Sequence, residues 1–145
     1  MLLTDMNQSK EADELVLLSA QRGLFLELVA KDHDFWGFDP DNLHLLGIFS
    51  LLDVLIGMPM EEIVEHLPID GKMKGALKGD LNNEYKPLLH LAQSLEEARW
   101  EDADFQIYQL NLNREKVTSA FRKSIEWASG LESQGARNAS TGEQS

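Results

Sequence analysis

The groups best suited to chemistry in this sequence are four histidines, at positions 33, 44, 66 and 90, and the carboxylates beside them. His33 and Asp34 are adjacent, and imidazole and carboxylate are both common ligands of divalent metal ions. A protein metal site needs about three or four ligands, however, and no histidine precedes His33. Since the pair also lies in a polar break between apolar segments, we interpret it as part of a surface loop.

The other candidate pairs are weaker. Glu62 and His66 are four residues apart, so they share one face of a helix but supply only two ligands. His44 and Asp53 are nine residues apart, which places them on opposite faces of a continuous helix. His90 stands among leucines, as core histidines do. We therefore expect no metal ion, no cofactor and no catalytic residue in this chain.

Nucleophilic and phosphate-binding motifs are also missing from the sequence. The chain has no cysteine, which excludes a disulfide framework and a thiolate metal site. It has no Gly-x-Ser-x-Gly segment, and its glycines do not have the spacing of a phosphate loop. These features indicate a protein that is not an enzyme.

The charge balance argues against a further class of function. The 145 residues include 25 acidic and 13 basic side chains, which gives a net charge of −12. Nucleic-acid affinity depends on Lys and Arg that neutralise phosphates, so we expect no nucleic-acid partner. The first residues lack a basic region followed by an apolar stretch, so we expect no signal peptide and a cytoplasmic location.

Residues 42–60 form the most apolar stretch of the chain, with Asp53 inside it. A surface helix has one apolar stripe, whereas this stretch shows almost no polar face. A membrane span is the alternative, but a central aspartate costs about 2.5–3.5 kcal/mol on insertion, and a proline ends the run. We therefore predict a buried central helix over residues 42–57, with Phe49 and Leu52 fully buried, and no membrane partner.

Asp53 is interpreted as a structural anchor of that helix. An unpaired charge in a core is strongly destabilising, so its carboxylate needs a partner. Ser50, one turn earlier, or a Lys or Arg from another helix would supply the hydrogen bonds.

The spacing of apolar residues and the positions of Pro and Gly predict an all-α protein, a single bundle of about six or seven helices around the central one. The expected helices span residues 11–31, 42–57, 59–67, 71–78, 82–99, 102–110 and 114–130. Residues 131–145 are rich in Ser, Gly, Gln and Asn and have no aromatic residue, so we expect a disordered tail. The predicted domain therefore covers residues 1–130.

Four aromatic residues lie outside the predicted helical interiors. Trp100 and Trp127 stand near helix ends, where we expect them to close the core. Trp36 and Phe38 lie in a loop beside aspartates, and two interpretations stay open for them. They pack onto the bundle, or they are exposed and anchor a partner, since aromatic side chains dominate interface energetics.

Several short motifs follow one another in a characteristic order over about residues 10–130. They are Ala20-Gln-Arg22, Glu27, Leu46-Gly-Ile-Phe-Ser-Leu-Leu-Asp53, Met58-Pro-Met60, Leu67-Pro68, Gly75-Ala-Leu77, Glu97-Ala-Arg-Trp100 and Trp127-Ala128. This order resembles the HDOD family, the bacterial HD-related output domains, and is most similar to the subgroup at the C-terminus of EAL-HDOD signalling proteins. The resemblance implies an all-helical regulatory domain, related to the HD phosphohydrolases but without their metal ligands.

The resemblance also implies a partner, and the chain differs from the family pattern in two ways. In the most similar subgroup the partner is an EAL domain of the cyclic-di-GMP phosphodiesterase type in the same polypeptide. Family members have several more helices before the matching region, so the chain resembles the C-terminal portion of the domain. Gly23 stands where members usually carry alanine, which lowers local helix propensity by about 1 kcal/mol.

Three functions follow from these observations. The first is a non-catalytic signalling module that acts through protein contacts, as the resemblance implies. The second is a degenerate metal-dependent phosphohydrolase of the HD type, and the third is a structural oligomerisation domain. A central helix that is apolar on all sides needs neighbours on all sides, so we expect the isolated chain to form a homodimer.

Overall fold

The computed structural model describes residues 2–34 and 36–144, and the side chains of residues 10–34 and 36–133. Within these ranges it contains α-helices, one short 310 helix and no strand, which confirms the predicted all-α fold. The helices are α1 Leu2–Asp32, α2 Pro40–Phe49, α3 Leu52–Ile56, α4 Met60–Ile63, the 310 helix Val64–His66, α5 Gly71–Lys78, α6 Lys86–Glu96, α7 Trp100–Gln109 and α8 Arg114–Gln144.

The helix ends follow local signals in the sequence. Asp70 caps α5 because its side chain accepts a hydrogen bond from the Met73 amide at 2.8 Å. Gly79 closes the same helix in the left-handed conformation, with φ of 89°. Asn113 caps α8 through the Lys116 amide at 3.0 Å. These ends agree with the sequence interpretation.

The predicted central helix is wrong, because residues 42–57 form two helices. Ser50 interrupts the segment: its hydroxyl donates to the Gly47 carbonyl at 2.7 Å, and its amide bonds the same oxygen at 3.3 Å. α3 then leaves in a new direction, with Val54 59% exposed and Ile56 55% exposed. Since the second half of the segment lies at the surface, it is not surrounded by neighbours.

The predicted full burial of Phe49 and Leu52 is also wrong, since both side chains are half-buried. The core instead lies where α1 and α2 meet α6 and α8. Its fully buried side chains include Phe25, Leu26, Leu43, Leu46, Leu88, Leu91 and Val117. A smaller cluster of Met60, Ile63 and Val64 packs beneath α4 and the 310 helix.

The last helix extends beyond its predicted end. We expected a disordered tail from residue 131, but α8 continues through Gln144. Extending a formed helix adds one hydrogen bond for each residue fixed, so propagation is much less costly than nucleation. The division of the chain into a domain and a tail at residue 130 stays a prediction.

Membrane crossing was the alternative considered for residues 42–60. Among the residues that the structure describes, no helix is both long enough and apolar enough to cross a bilayer.

A close contact between two glycines fixes how α1 crosses α2. A Cβ atom built on Gly47 would lie 2.5 Å from the Cα of Gly23, and one built on Gly23 would lie 2.7 Å from the His44 carbonyl oxygen. Backbone occupies that space, so a side chain at either position forces the helices apart. Gly23 therefore weakens the helix locally but allows the close packing of α1 on α2.

We predict that Gly23→Ala destabilises the protein, although alanine is the better helix former. Overpacking of this kind costs about 1–3 kcal/mol, against a propensity gain of about 1 kcal/mol. Gly130→Ala is the matched control, because Gly130 also lies inside a helix and has no atom within 4 Å of its built Cβ. Urea denaturation should show a loss of unfolding free energy for the first variant and a small gain for the second. Equal gains for both would disprove the contact.

Candidate functional site

A buried arginine makes three side-chain hydrogen bonds that link separate helices. Arg22 of α1 is only 4% exposed. Its Nε and Nη2 atoms donate to the two carboxylate oxygens of Glu96 at 2.8 Å and 2.6 Å. Its Nη1 donates to the Ser50 hydroxyl at 2.8 Å. The two parallel bonds to Glu96 are the bidentate geometry that suits a planar guanidinium.

This network ties three parts of the fold together. Arg22 belongs to α1, Ser50 ends α2 and Glu96 ends α6, 74 residues from Arg22. The charges neutralise one another, and the Ser50 proton is directed to the Gly47 carbonyl. No general base lies on that hydroxyl to activate it as a nucleophile. The arrangement therefore suits a structural tie better than catalysis.

Of the partners expected for Asp53, Ser50 is wrong, and no salt bridge to a Lys or Arg is found among the described side chains. Ser50 bonds Arg22 and Gly47 rather than the Asp53 carboxylate. Asp53 is half-buried in the first turn of α3. Its carbonyl oxygen accepts hydrogen bonds from the Gly57 and Met58 amides at 2.9 Å and 3.3 Å. Its structural contribution therefore comes through the backbone at the end of α3.

His33 lies in the bend directly after α1, in agreement with the predicted loop, and joins the end of α1 to the start of α8. Its Nε2 accepts a hydrogen bond from the Asn113 amide at 2.9 Å. The other nitrogen, Nδ1, therefore carries the proton and donates to the Val29 carbonyl at 2.7 Å. Both ring nitrogens are occupied, so His33 has none left for a metal ion. Asp34, its neighbour, is exposed.

The other histidines are not brought together either. His44 and His90 are half-buried on α2 and α6. Glu62 and His66 are exposed and do not share a continuous α-helix, because α4 ends at Ile63. Among the described side chains, those of residues 10–34 and 36–133, no group of three His, Asp or Glu residues could hold a metal ion.

One titratable group is clearly perturbed. Burial raises the pKa of Tyr85 above its ordinary value of 10.0, and the nearby carboxylates of Asp70, Glu84 and Asp39 raise it further. The Tyr85 ring packs edge-on against Phe38, with centroids 5.3 Å apart. A tyrosine that is harder to ionise in a packed aromatic cluster stabilises the core, and it is no candidate base.

Trp36 and Phe38 belong to the same aromatic cluster. Their ring centroids are 4.7 Å apart, and the Trp36 Nε1 donates to the Leu110 carbonyl at 3.1 Å. Both side chains are partly buried against the core. Of the two interpretations left open by the sequence, packing onto the bundle is therefore the one that the structure supports.

The expected burial of the other two tryptophans is wrong. Trp100 is 59% exposed and Trp127 is 41% exposed. Trp100 stands at the start of α7, where it borders a cleft between α7 and α8 with a volume of about 450 Å³. We call this cleft the α7–α8 groove. Its apolar lining consists of Leu95, Trp100, Ala103, Ile107, Phe121 and Ile125.

The α7–α8 groove has a charged rim whose members pair with each other. Arg114 bonds Asp104, and Arg122 approaches Glu126 at 4.0 Å. All four side chains are largely exposed. The sequence contained a hint of this surface, because Phe121 and Ile125 are four residues apart on one face of α8. It could not indicate that α7 leaves part of that face uncovered.

Two curated proteins resemble the chain in sequence. It is 30% identical over 123 residues, 85% of its length, to the cyclic di-GMP phosphodiesterase CdgJ of Vibrio cholerae. It is also 30% identical over 118 residues, 81% of its length, to the uncharacterized protein YuxH of Bacillus subtilis. The chain spans 28% of the length of each, so it is related to a segment of a larger protein in both cases.

No family model matches the chain. No solved structure matches it either.

We predict that removing one partner of the buried Arg22–Glu96 ion pair destabilises the protein more than removing both. Arg22→Met should cost about 3–5 kcal/mol, because it leaves the Glu96 carboxylate buried without its partner. The double variant Arg22→Met, Glu96→Leu should recover part of that loss. Arg114→Met is the matched control, since its exposed pair with Asp104 is worth at most about 1 kcal/mol. Thermal unfolding of the parent, Arg22→Met, Glu96→Leu and the double variant measures the coupling, and strictly additive losses would contradict it.

Proposed function

We propose that the chain is a non-catalytic regulatory module of cyclic-di-GMP signalling, of the HDOD type, that acts through protein contacts. The observation that carries the proposal is the 30% identity to a segment making up 28% of a cyclic di-GMP phosphodiesterase. The motif order over residues 10–130 supports the HDOD assignment within that relationship.

The internal chemistry of the chain supports a contact function. The most buried charge, Arg22, is neutralised by Glu96. The nitrogens of His33 are occupied by backbone groups of α1 and α8. Polar groups that serve as helix ties are not available to bind and transform a substrate. The surface instead offers exposed apolar side chains, which are typical of interaction sites.

The proposed partner is a phosphodiesterase domain of the EAL type. In the proteins that the motif order resembles, such a domain stands in the same polypeptide as the HDOD module. We propose that the chain regulates it in the cytoplasm. Self-association is a second proposed contact. Its candidate surface is α3 and the turn after it, where Val54, Ile56 and Met58 are each 40% exposed or more.

We predict that the purified chain does not hydrolyse cyclic di-GMP in the presence of Mg²⁺ or Mn²⁺. Added to CdgJ from which the matching segment has been deleted, it should change the hydrolysis rate at least about twofold and saturably. Leu46→Asp is the control, because a charge at this fully buried position unfolds the bundle and should abolish the effect. An unchanged rate, or metal-dependent hydrolysis by the chain alone, would contradict the proposal.

We also predict a homodimer that depends on α3. Sedimentation should give a mass above the 16.4 kDa of one chain at high micromolar concentration. Ile56→Lys should shift the protein to the monomer, since it puts a charge into an apolar interface. Leu81→Lys is the matched control, because Leu81 is 86% exposed on a distant loop. A monomeric parent protein, or equal effects of both variants, would rule out this surface.

A further inference from the structure

No other helix covers the α7–α8 groove within the described residues, although its lining is largely apolar. Trp100 and Ile125 border it and are 59% and 41% exposed. Below them, Leu95, Ala103 and Ile107 are buried and form a continuous floor. A tryptophan beside a preformed apolar floor has the composition of an energetic centre in protein interfaces.

The shape of the groove fits a helix. Its two walls are the helices α7 and α8, and its lining residues recur at spacings of three and four along both. An amphipathic helix laid between two helices inserts its own apolar residues at the same spacing. An opening of about 450 Å³ accommodates a few such side chains rather than a whole domain.

The charges beside the groove favour a docked helix of one charge. The rim pairs Arg114–Asp104 and Arg122–Glu126 neutralise themselves. At the Trp100 end there are three acids, Glu97, Glu101 and Asp102, against Arg99. Arg99 is engaged by both Glu97 and Asp102, at 2.8 Å and 2.9 Å. Glu101 has no ion pair within the part of the chain described, so this end carries excess negative charge.

We propose that the α7–α8 groove docks a basic amphipathic helix of a partner protein, with Lys or Arg of that helix beside Glu97, Glu101 and Asp102. A second copy of the chain has the same net charge of −12 and so lacks the excess of basic side chains that would complement this end. An anionic lipid surface would be repelled by the same acidic end. The proposal rests on the contact function proposed above and names the chemistry of the contact.

The test uses the full chain and two synthetic peptides of about 18 residues, roughly five helical turns. Both have leucine at helical spacing, and their polar positions are all lysine in one and all glutamate in the other. Calorimetric titration should show that the lysine peptide binds at least about tenfold tighter than the glutamate peptide. Trp100→Ala and Ile125→Ser should each weaken the lysine peptide by about tenfold or more.

Two control variants separate the groove from general surface effects. Tyr108→Ala removes an exposed aromatic of α7 outside the groove, at 86% exposure, and should leave the affinity unchanged. Glu101→Gln should weaken binding of the lysine peptide. Glu11→Gln removes the same charge from an exposed position of α1 and should leave the affinity unchanged. Equal effects within either pair would mean that net charge or general stickiness, and not the groove, binds the peptide.

Other results would overturn the proposal in distinguishable ways. Equal affinity for both peptides would exclude charge selection. A loss of dimer mass on Trp100→Ala would assign the groove to a second copy of the chain. If the lysine peptide binds as expected but the CdgJ rate does not change, the groove stands and the regulatory function fails. If the rate changes but the peptide does not bind, the function stands and the groove proposal fails.

Discussion

The backbone contact between Gly23 and Gly47 sets the geometry on which the other interactions depend. Because neither residue has a Cβ, α1 and α2 approach more closely than side chains allow. Arg22 precedes Gly23 directly, so the same approach carries its guanidinium into the interior. There it must be neutralised, and Glu96 of α6 supplies both oxygens. The close contact at Gly23 and the buried charge of Arg22 therefore depend on each other.

The consequences extend to both surfaces that we propose as interaction sites. Ser50 bonds Arg22 and Gly47 at the point where α2 ends, and α3 then turns outward with its apolar side chains exposed. Glu96 ends α6, and the chain reverses there through Ala98 with φ of 57°. The Arg99 amide closes that turn on the Ser94 carbonyl at 2.8 Å. The turn places Trp100 at the edge of the α7–α8 groove.

The polar side chains at the helix contacts act mainly as ties between helices. The buried Arg22 and the half-buried His33 are occupied as ties between helices. Among the described residues, the clear pKa shift is that of Tyr85, which makes its proton harder to remove. A catalytic site needs groups that are positioned and still available. Three buried polar atoms, His44 Nδ1, Ser94 Oγ and Gln106 Oε1, make no hydrogen bond within the described residues, but they are not gathered into one site described above. The α7–α8 groove instead combines an exposed apolar surface with charges at its rim, which is the composition of contact sites.

The sequence by itself determined the all-α class and most helix ends, because caps such as Asp70 and Asn113 act on amides within three residues. It did not determine the break at Ser50, the need for Gly23, or the exposure of Trp100. These features depend on pairs such as Arg22 and Glu96, 74 residues apart, which meet only when helices pack. Apolar periodicity indicates that a face is buried, but the shape of the neighbouring helix decides how much of it is covered.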